Sequence, residues 1–173
     1  MSGITVATIV EDAIVIGAGG GQDCGVKLLS LIMENGPDAT FEVLMALGAA
    51  ATHRVNEDPD PVALLARVVF GPERAATPVD QAPPAHRFVA EFLTAVARND
   101  AATARELFET FVADHYRPGY QRVGLAVGLA YRAALAAAER LAAQGEPDGL
   151  AHPGGDAVRR MARVLCDVIG DAR

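Results

Sequence analysis

The densest run of chemically capable side chains is DHYRPGYQR, residues 114–122. In it His115 has the chemistry of a general base, Tyr116 and Tyr120 of hydrogen-bond donors, and Arg117 or Arg122 of a carboxylate clamp. The run falls at a helix end before Pro118–Gly119, where side chains can converge. The same residues have a plainer use, because basic groups near a helix C-terminus complement its dipole and cap its last carbonyls. Asp114 and His115 are adjacent, so on a helix they diverge. His86 opens one helix of an expected hairpin and His115 closes the other, which puts both near the same end. The candidate catalytic set is thus His115, Tyr116, Arg117, Tyr120 and His86.

A second stretch, AIVIGAGGGQDCGVKLL at 13–29, has the outline of a phosphate-cradling loop. A dinucleotide fingerprint needs three glycines, for the turn, for close approach of the pyrophosphate and for helix packing. Counting from Gly17, the second is Gly19 and the third position holds Gln22. Counting from Gly19, the second is Gly21 and the third position holds Cys24. Gly20 and Gly25 have P-loop spacing, but Val26 stands where lysine must reach the phosphates. Lys27 comes one position late, about 100° around a helix. The stretch reads as a glycine joint between two apolar helices; a nucleotide-binding loop over Gly17–Gly25 is the competing reading.

The remaining reactive residues are scattered. The four histidines, His53, His86, His115 and His152, share no metal-ligand spacing, and no G-x-S-x-G element occurs. Cys24 and Cys166 are too few for a disulfide framework or a four-ligand zinc site. Lys27 lies three residues after Cys24, and Arg163 three before Cys166, where Asp167 offsets it. A thiolate nucleophile therefore has little support at either position. No cofactor and no metal is expected.

Helices must position these groups. Residues 85–98 place Phe88, Phe92, Ala95 and Val96 on one side. Asn99 breaks the pattern and Asp100 is a good N-cap for a helix from Ala101 to about Tyr116, striped by Ala104, Leu107, Phe108, Phe111 and Val112. So short a break predicts an antiparallel hairpin. The segment HRFVAEFLTAVARNDAATARELFETFVADH resembles the paired helices of tandem helical repeats. It is also similar to histidine-bearing helix pairs in ligand-binding domains of some bacterial regulators. The resemblance implies helix pairing and brings no function or residue role with it.

Residues 119–144 form the longest expected helix. Its charge-free stretch Val123–Tyr131 predicts a buried element, with Gly124 and Gly128 one turn apart as helix-packing positions. A last helix covers 156–169. Asp60–Pro61 opens a helix over 62–70 that Gly71 closes. Residues 71–84 form a Pro/Ala-rich loop. Residues 4–16 are rich in β-branched residues, yet Val6, Ile9, Val10, Ala13 and Ile16 share a helical face, so helix is expected and an α/β N-terminal third is the minor alternative. Residues 23–35 form an amphipathic helix that Gly36–Pro37 should stop, with Asp38 capping 39–54. The sum is an all-α bundle of seven to eight helices around the 119–144 helix. It forms a single domain over 1–173, with a possible subdivision into 1–70 and 85–173.

The chain of 173 residues is 51% hydrophobic and 21% charged, an ordinary globular balance. Its net charge of −7 disfavours binding along nucleic-acid backbones, and only Arg159, Arg160 and Arg163 cluster. No apolar run approaches the ~20 residues of a membrane span, and no signal peptide is evident, so a soluble, cytoplasmic protein is expected. With no catalytic motif emerging, the leading expectation is a non-catalytic module that binds a protein partner or itself. The alternative is a small-molecule binder or enzyme with an interhelical cavity using the 115–120 cluster.

Overall fold

The computed structural model describes residues 5–71, 78–115, 121–144 and 155–171. They form an all-α bundle of seven α-helices: α1 (Val6–Ala18), α2 (Cys24–Thr52), α3 (Pro61–Phe70), α4 (Pro84–Ala97), α5 (Ala101–His115), α6 (Gln121–Gln144) and α7 (Gly155–Asp171). Short 3₁₀ turns occupy Val55–Glu57 and Val79–Gln81. No strand occurs among the described residues, so the α/β alternative for the N-terminal third falls.

The helices start and stop where local chemistry dictates. The Asp60 carboxylate accepts from Ala63 N at 3.1 Å, Pro61 takes the first helical position, and Gly71 ends α3 at φ +82°. Between α4 and α5, Asn99 takes a left-handed φ of 56°. Its N–H donates to Val96 O at 3.0 Å, and Asp100 N–H donates to Ala95 O at 2.9 Å. This pair of bonds is a Schellman stop. Asp100 then caps α5 by accepting from Thr103 N at 3.0 Å. One residue thus closes one helix and opens the next, and the chain reverses. Phe88, early in α4, stacks on Phe111, late in α5, with centroids 4.3 Å apart, as an antiparallel hairpin requires.

Three sequence expectations need correction. The buried face of α1 is Val10, Ala13 and Ile14, whereas Ile16 is 44% exposed. The face turns because Gly17 completes it, and a glycine adds no apolar signal to a periodicity count. Second, Gly36–Pro37 stops the 23–35 helix as expected, but the next stretch of α2 opens at Pro37, ahead of the expected cap Asp38. Gly36 alone is non-helical (φ 79°, ψ −163°), and Pro37 restarts the helix at once. Asp38 is therefore no N-cap; its exposed carboxylate lies 4.0 Å from Arg105. Third, the charge-free part of α6 is not buried all round, since Leu125 is 46% exposed.

α6 is nevertheless the centre, touching all six other helices. Its inner face is mostly alanine: Ala126, Ala130, Ala133, Ala134, Ala137 and Ala138 are buried. Small side chains let neighbouring backbones come close, and the larger volumes arrive from the neighbours: Leu28, Ile32, Val43, Leu44 and Leu47 of α2, Phe92 and Leu93 of α4, and Leu165 of α7. Residues from both sides of segment 71–84 join this one core, Leu65, Val69 and Phe70 on one side and Phe88 and Phe92 on the other.

Candidate functional site

Gly17–Gly21 form the C-terminal stop of α1. Gly20 has φ +83°, its N–H donates to Gly17 O at 2.9 Å, and Gly21 N–H donates to Ile16 O at 2.9 Å. Gly19 N–H donates to Val15 O and Ile16 O at 3.2 and 3.1 Å. Three successive amides that a phosphate cradle would need are spent on α1's own carbonyls. Above them lies the Arg159 side chain of α7, close enough that a Cβ at Gly19 would meet its Nη2 at 2.8 Å.

Tyr116, Arg117 and Tyr120 lie outside the described residues, as does the His115 side chain. The hairpin sets position 115 at the same end as His86, whose ring stacks on Phe70 with centroids 6.2 Å apart and planes 13° from parallel. Gly124 packs against α2: a Cβ there would meet Leu29 Cδ2 at 3.0 Å. Gly128, one turn on, has no described atom within 4 Å of such a Cβ. Among the described residues, no three His, Cys, Asp or Glu gather to hold a metal ion, and no helix is long and apolar enough to cross a membrane.

Two surfaces stand out. The first is a cavity of about 810 Å³ floored by the second half of α2, with walls from the α4–α5 turn and from the ends of α1 and α7. Its floor is Phe41, Met45, Ala46 and Ala49, and its walls include Val6, Val96 and Val168. The rim is polar. Arg105 lies over the Phe41 ring, 3.9 Å from its centroid. Arg54 pairs with Glu57 at 2.8 Å, and Asn56 donates to Ala97 O at 2.8 Å, tying the 3₁₀ turn to the end of α4. Arg140 reaches from α6 to His53 O at 3.5 Å, satisfying a carbonyl at the C-terminus of α2. Burial, helped by the Arg54 and Arg140 guanidinium groups and opposed by Glu57, holds the His53 imidazole below its ordinary pKa. The trough suits an apolar body with a polar end.

The second surface is an apolar face. Val26, Leu29 and Met33 of α2 are 61%, 37% and 60% exposed, at i, i+3 and i+7 on one side of the helix. Leu29 rests against Gly124 of α6, Gly128 follows one turn later, and exposed Leu125 is three residues from Gly128. The Leu29–Gly124 contact thus joins the exposed stripe of α2 to the side of α6 that carries Leu125 and Gly128. A signal for this face exists in the sequence. Val26, Leu28, Leu29, Leu31, Ile32 and Met33 span a wider arc than the one-sided stripe of a surface helix. The trough has no such signal, because its residues come from four separate stretches.

The cysteines offer no nucleophile. Cys24 is buried, and Cys166 directs its thiol at Glu11 O, 3.7 Å away. Burial first, then the carboxylates of Glu11, Asp167 and Asp12, push the Cys166 thiol up to about 11. Arg163, three residues earlier, does not reverse this. No family model matches the chain, and no curated protein or solved structure does either.

Proposed function

We propose that this chain is a helical interaction module that associates with a protein partner or with itself through the α2–α6 face. One observation carries the reading: Val26, Leu29, Met33 and Leu125 are exposed together, on two packed helices, beside two glycines. Singly exposed apolar residues are ordinary, but joined ones mark association surfaces. No catalytic step is assigned to it. The test compares the wild type with Met33→Asp, and with Val26→Asp as a second variant, each first checked for helicity by circular dichroism. Both positions are exposed enough to accept a charge without unfolding the core. Sedimentation equilibrium reads self-association, and affinity capture from the source lysate reads foreign partners. At least one readout should weaken in both variants. If neither readout changes, the reading fails.

A second reading has its own support in the 810 Å³ trough. Its apolar floor and polar rim suit a small amphipathic molecule. A medium-chain fatty acid should raise the melting temperature of the wild type and leave Ala49→Phe, which fills the floor, unaffected. No shift in the wild type would exclude that ligand class.

A further inference from the structure

The α2–α6 face carries a charge pattern that names its occupant. Resting on the reading above, we infer that the face docks a second copy of this chain, the two α2 helices running antiparallel about a twofold axis near Ser30. Three features of the first half of α2 lead there. The apolar positions Val26, Leu29 and Met33 are spread evenly about Leu29 and Ser30, so a twofold at that point sets Val26 opposite the second copy's Met33 and centres the two Leu29 side chains.

The flank of the stripe away from α6 carries Lys27 and Glu34, seven residues or two turns apart on one side of the helix. Both are exposed, and neither makes an ion pair among the described residues. A twofold perpendicular to two antiparallel helices brings each flank against the same flank of the other copy, reversed in direction. Lys27 then faces the second copy's Glu34, and Glu34 faces the second copy's Lys27. This is the reciprocity a twofold interface demands. A parallel pairing would turn this flank toward the opposite flank of the other copy and leave Lys27 and Glu34 without each other, so the charges also select direction. Lys27 is the only lysine in the chain, which makes its place opposite a carboxylate two turns away the more telling.

The flank toward α6 supplies the shape. Gly124 is covered by Leu29, but Gly128 opens onto space, leaving low ground beside the stripe for side chains of the second copy. The interface is then a layer of four helices, α2 and α6 from each copy.

The experiment is sedimentation equilibrium of the full chain over micromolar concentrations, with charge reversals at the two surface positions. The wild type should show a monomer–dimer equilibrium. Lys27→Glu and Glu34→Lys should each weaken it about tenfold, because each turns two exposed attractions into repulsions. The double variant Lys27→Glu/Glu34→Lys should regain wild-type affinity. An equimolar mixture of the two single variants should form heterodimers more tightly than either forms homodimers. A dimer that ignores both charge reversal and Met33→Asp lies elsewhere on the molecule and overturns the inference. A dimer that Met33→Asp breaks but charge reversal leaves alone overturns the antiparallel register, while the reading of the face survives. A chain monomeric throughout, whose capture of a foreign protein is lost in Met33→Asp, overturns the second copy and leaves the face standing as a partner site.

Discussion

Tyr131 of α6 donates its hydroxyl to the Ala13 carbonyl of α1 at 2.8 Å, and it does so by lying directly over Gly17. A Cβ at position 17 would run into the Tyr131 hydroxyl, and would meet Cζ at 3.1 Å and Leu135 Cδ2 at 3.3 Å. Gly17→Ala should therefore cost about 1–3 kcal/mol by overpacking. Tyr131→Phe should cost about 1 kcal/mol, the net worth of one hydrogen bond, since a helical carbonyl keeps its ladder partner. The double variant should cost less than the sum, because phenylalanine lacks the atom that the new methyl strikes. Urea denaturation of the four proteins measures this coupling, and strict additivity would contradict the contact.

The two Schellman stops predict an order of tolerance. Gly20 has φ +83° with no atom near its missing Cβ, so substitution there reads backbone strain alone. Gly20→Ala should lose about 1–2 kcal/mol. Gly20→Asn should lose less, as Asn99 already fills the equivalent left-handed position at φ 56°. Gly20→Val should lose most, from β-branching. Melting temperatures ranked otherwise would show that the glycine serves something other than the turn.

Cys166 should be a slow thiol. With its pKa pushed up to about 11 by burial and three carboxylates, it is almost wholly protonated at pH 8. Its alkylation rate in the native protein should rise continuously from pH 8 to pH 10.5, without the levelling-off above about pH 10 of an ordinary cysteine. A raised pKa in the folded state stabilises the fold fully below the unfolded value of 9.0 and loses that contribution as pH climbs toward 11. Cys166→Ser should lessen this alkaline loss in a stability–pH profile.

His53 works in the opposite sense. Burial, aided by the Arg54 guanidinium, lowers its pKa, so the folded protein holds this proton less tightly than the unfolded chain does. The resulting stability is present above 6.5 and lost as pH falls below it, toward the folded value. An NMR titration should give a His53 midpoint below 6.5, and His53→Gln should flatten the fall in stability between pH 6.5 and 5. A midpoint above 6.5 would mean that Glu57, the one opposing group, dominates.

Elements with local signals were legible in the sequence. The helices α3, α4 and α5 follow from a cap, a proline, a breaker and a stripe, all within a few residues. Glycine caused the misreadings, because its role depends on what comes near it. Gly17 hid the true face of α1, and after the expected stop at Gly36 the chain re-entered helix at Pro37, ahead of Asp38, the expected cap. The cluster suggested at 115–120 rested on chemical density alone, and most of it lies outside the described residues. The trough was illegible because Met45, Val96 and Val168 meet only through the tertiary fold. The exposed stripe of α2 sat in plain view as a helix too apolar for one buried side, and periodicity alone did not show which part of it faced outward.

The alanine face of α6 has a consequence for how such a chain changes over time. Its seven buried methyl groups have no rotamers to adjust, so a larger residue at Ala126 or Ala134 has to displace a whole helix. The middle of the molecule is rigid by virtue of smallness and leaves drift almost no latitude. The outer sides of α2 and α6 are attached to that frame yet take no part in it. Descendants of this sequence are free to change that outer surface without changing shape.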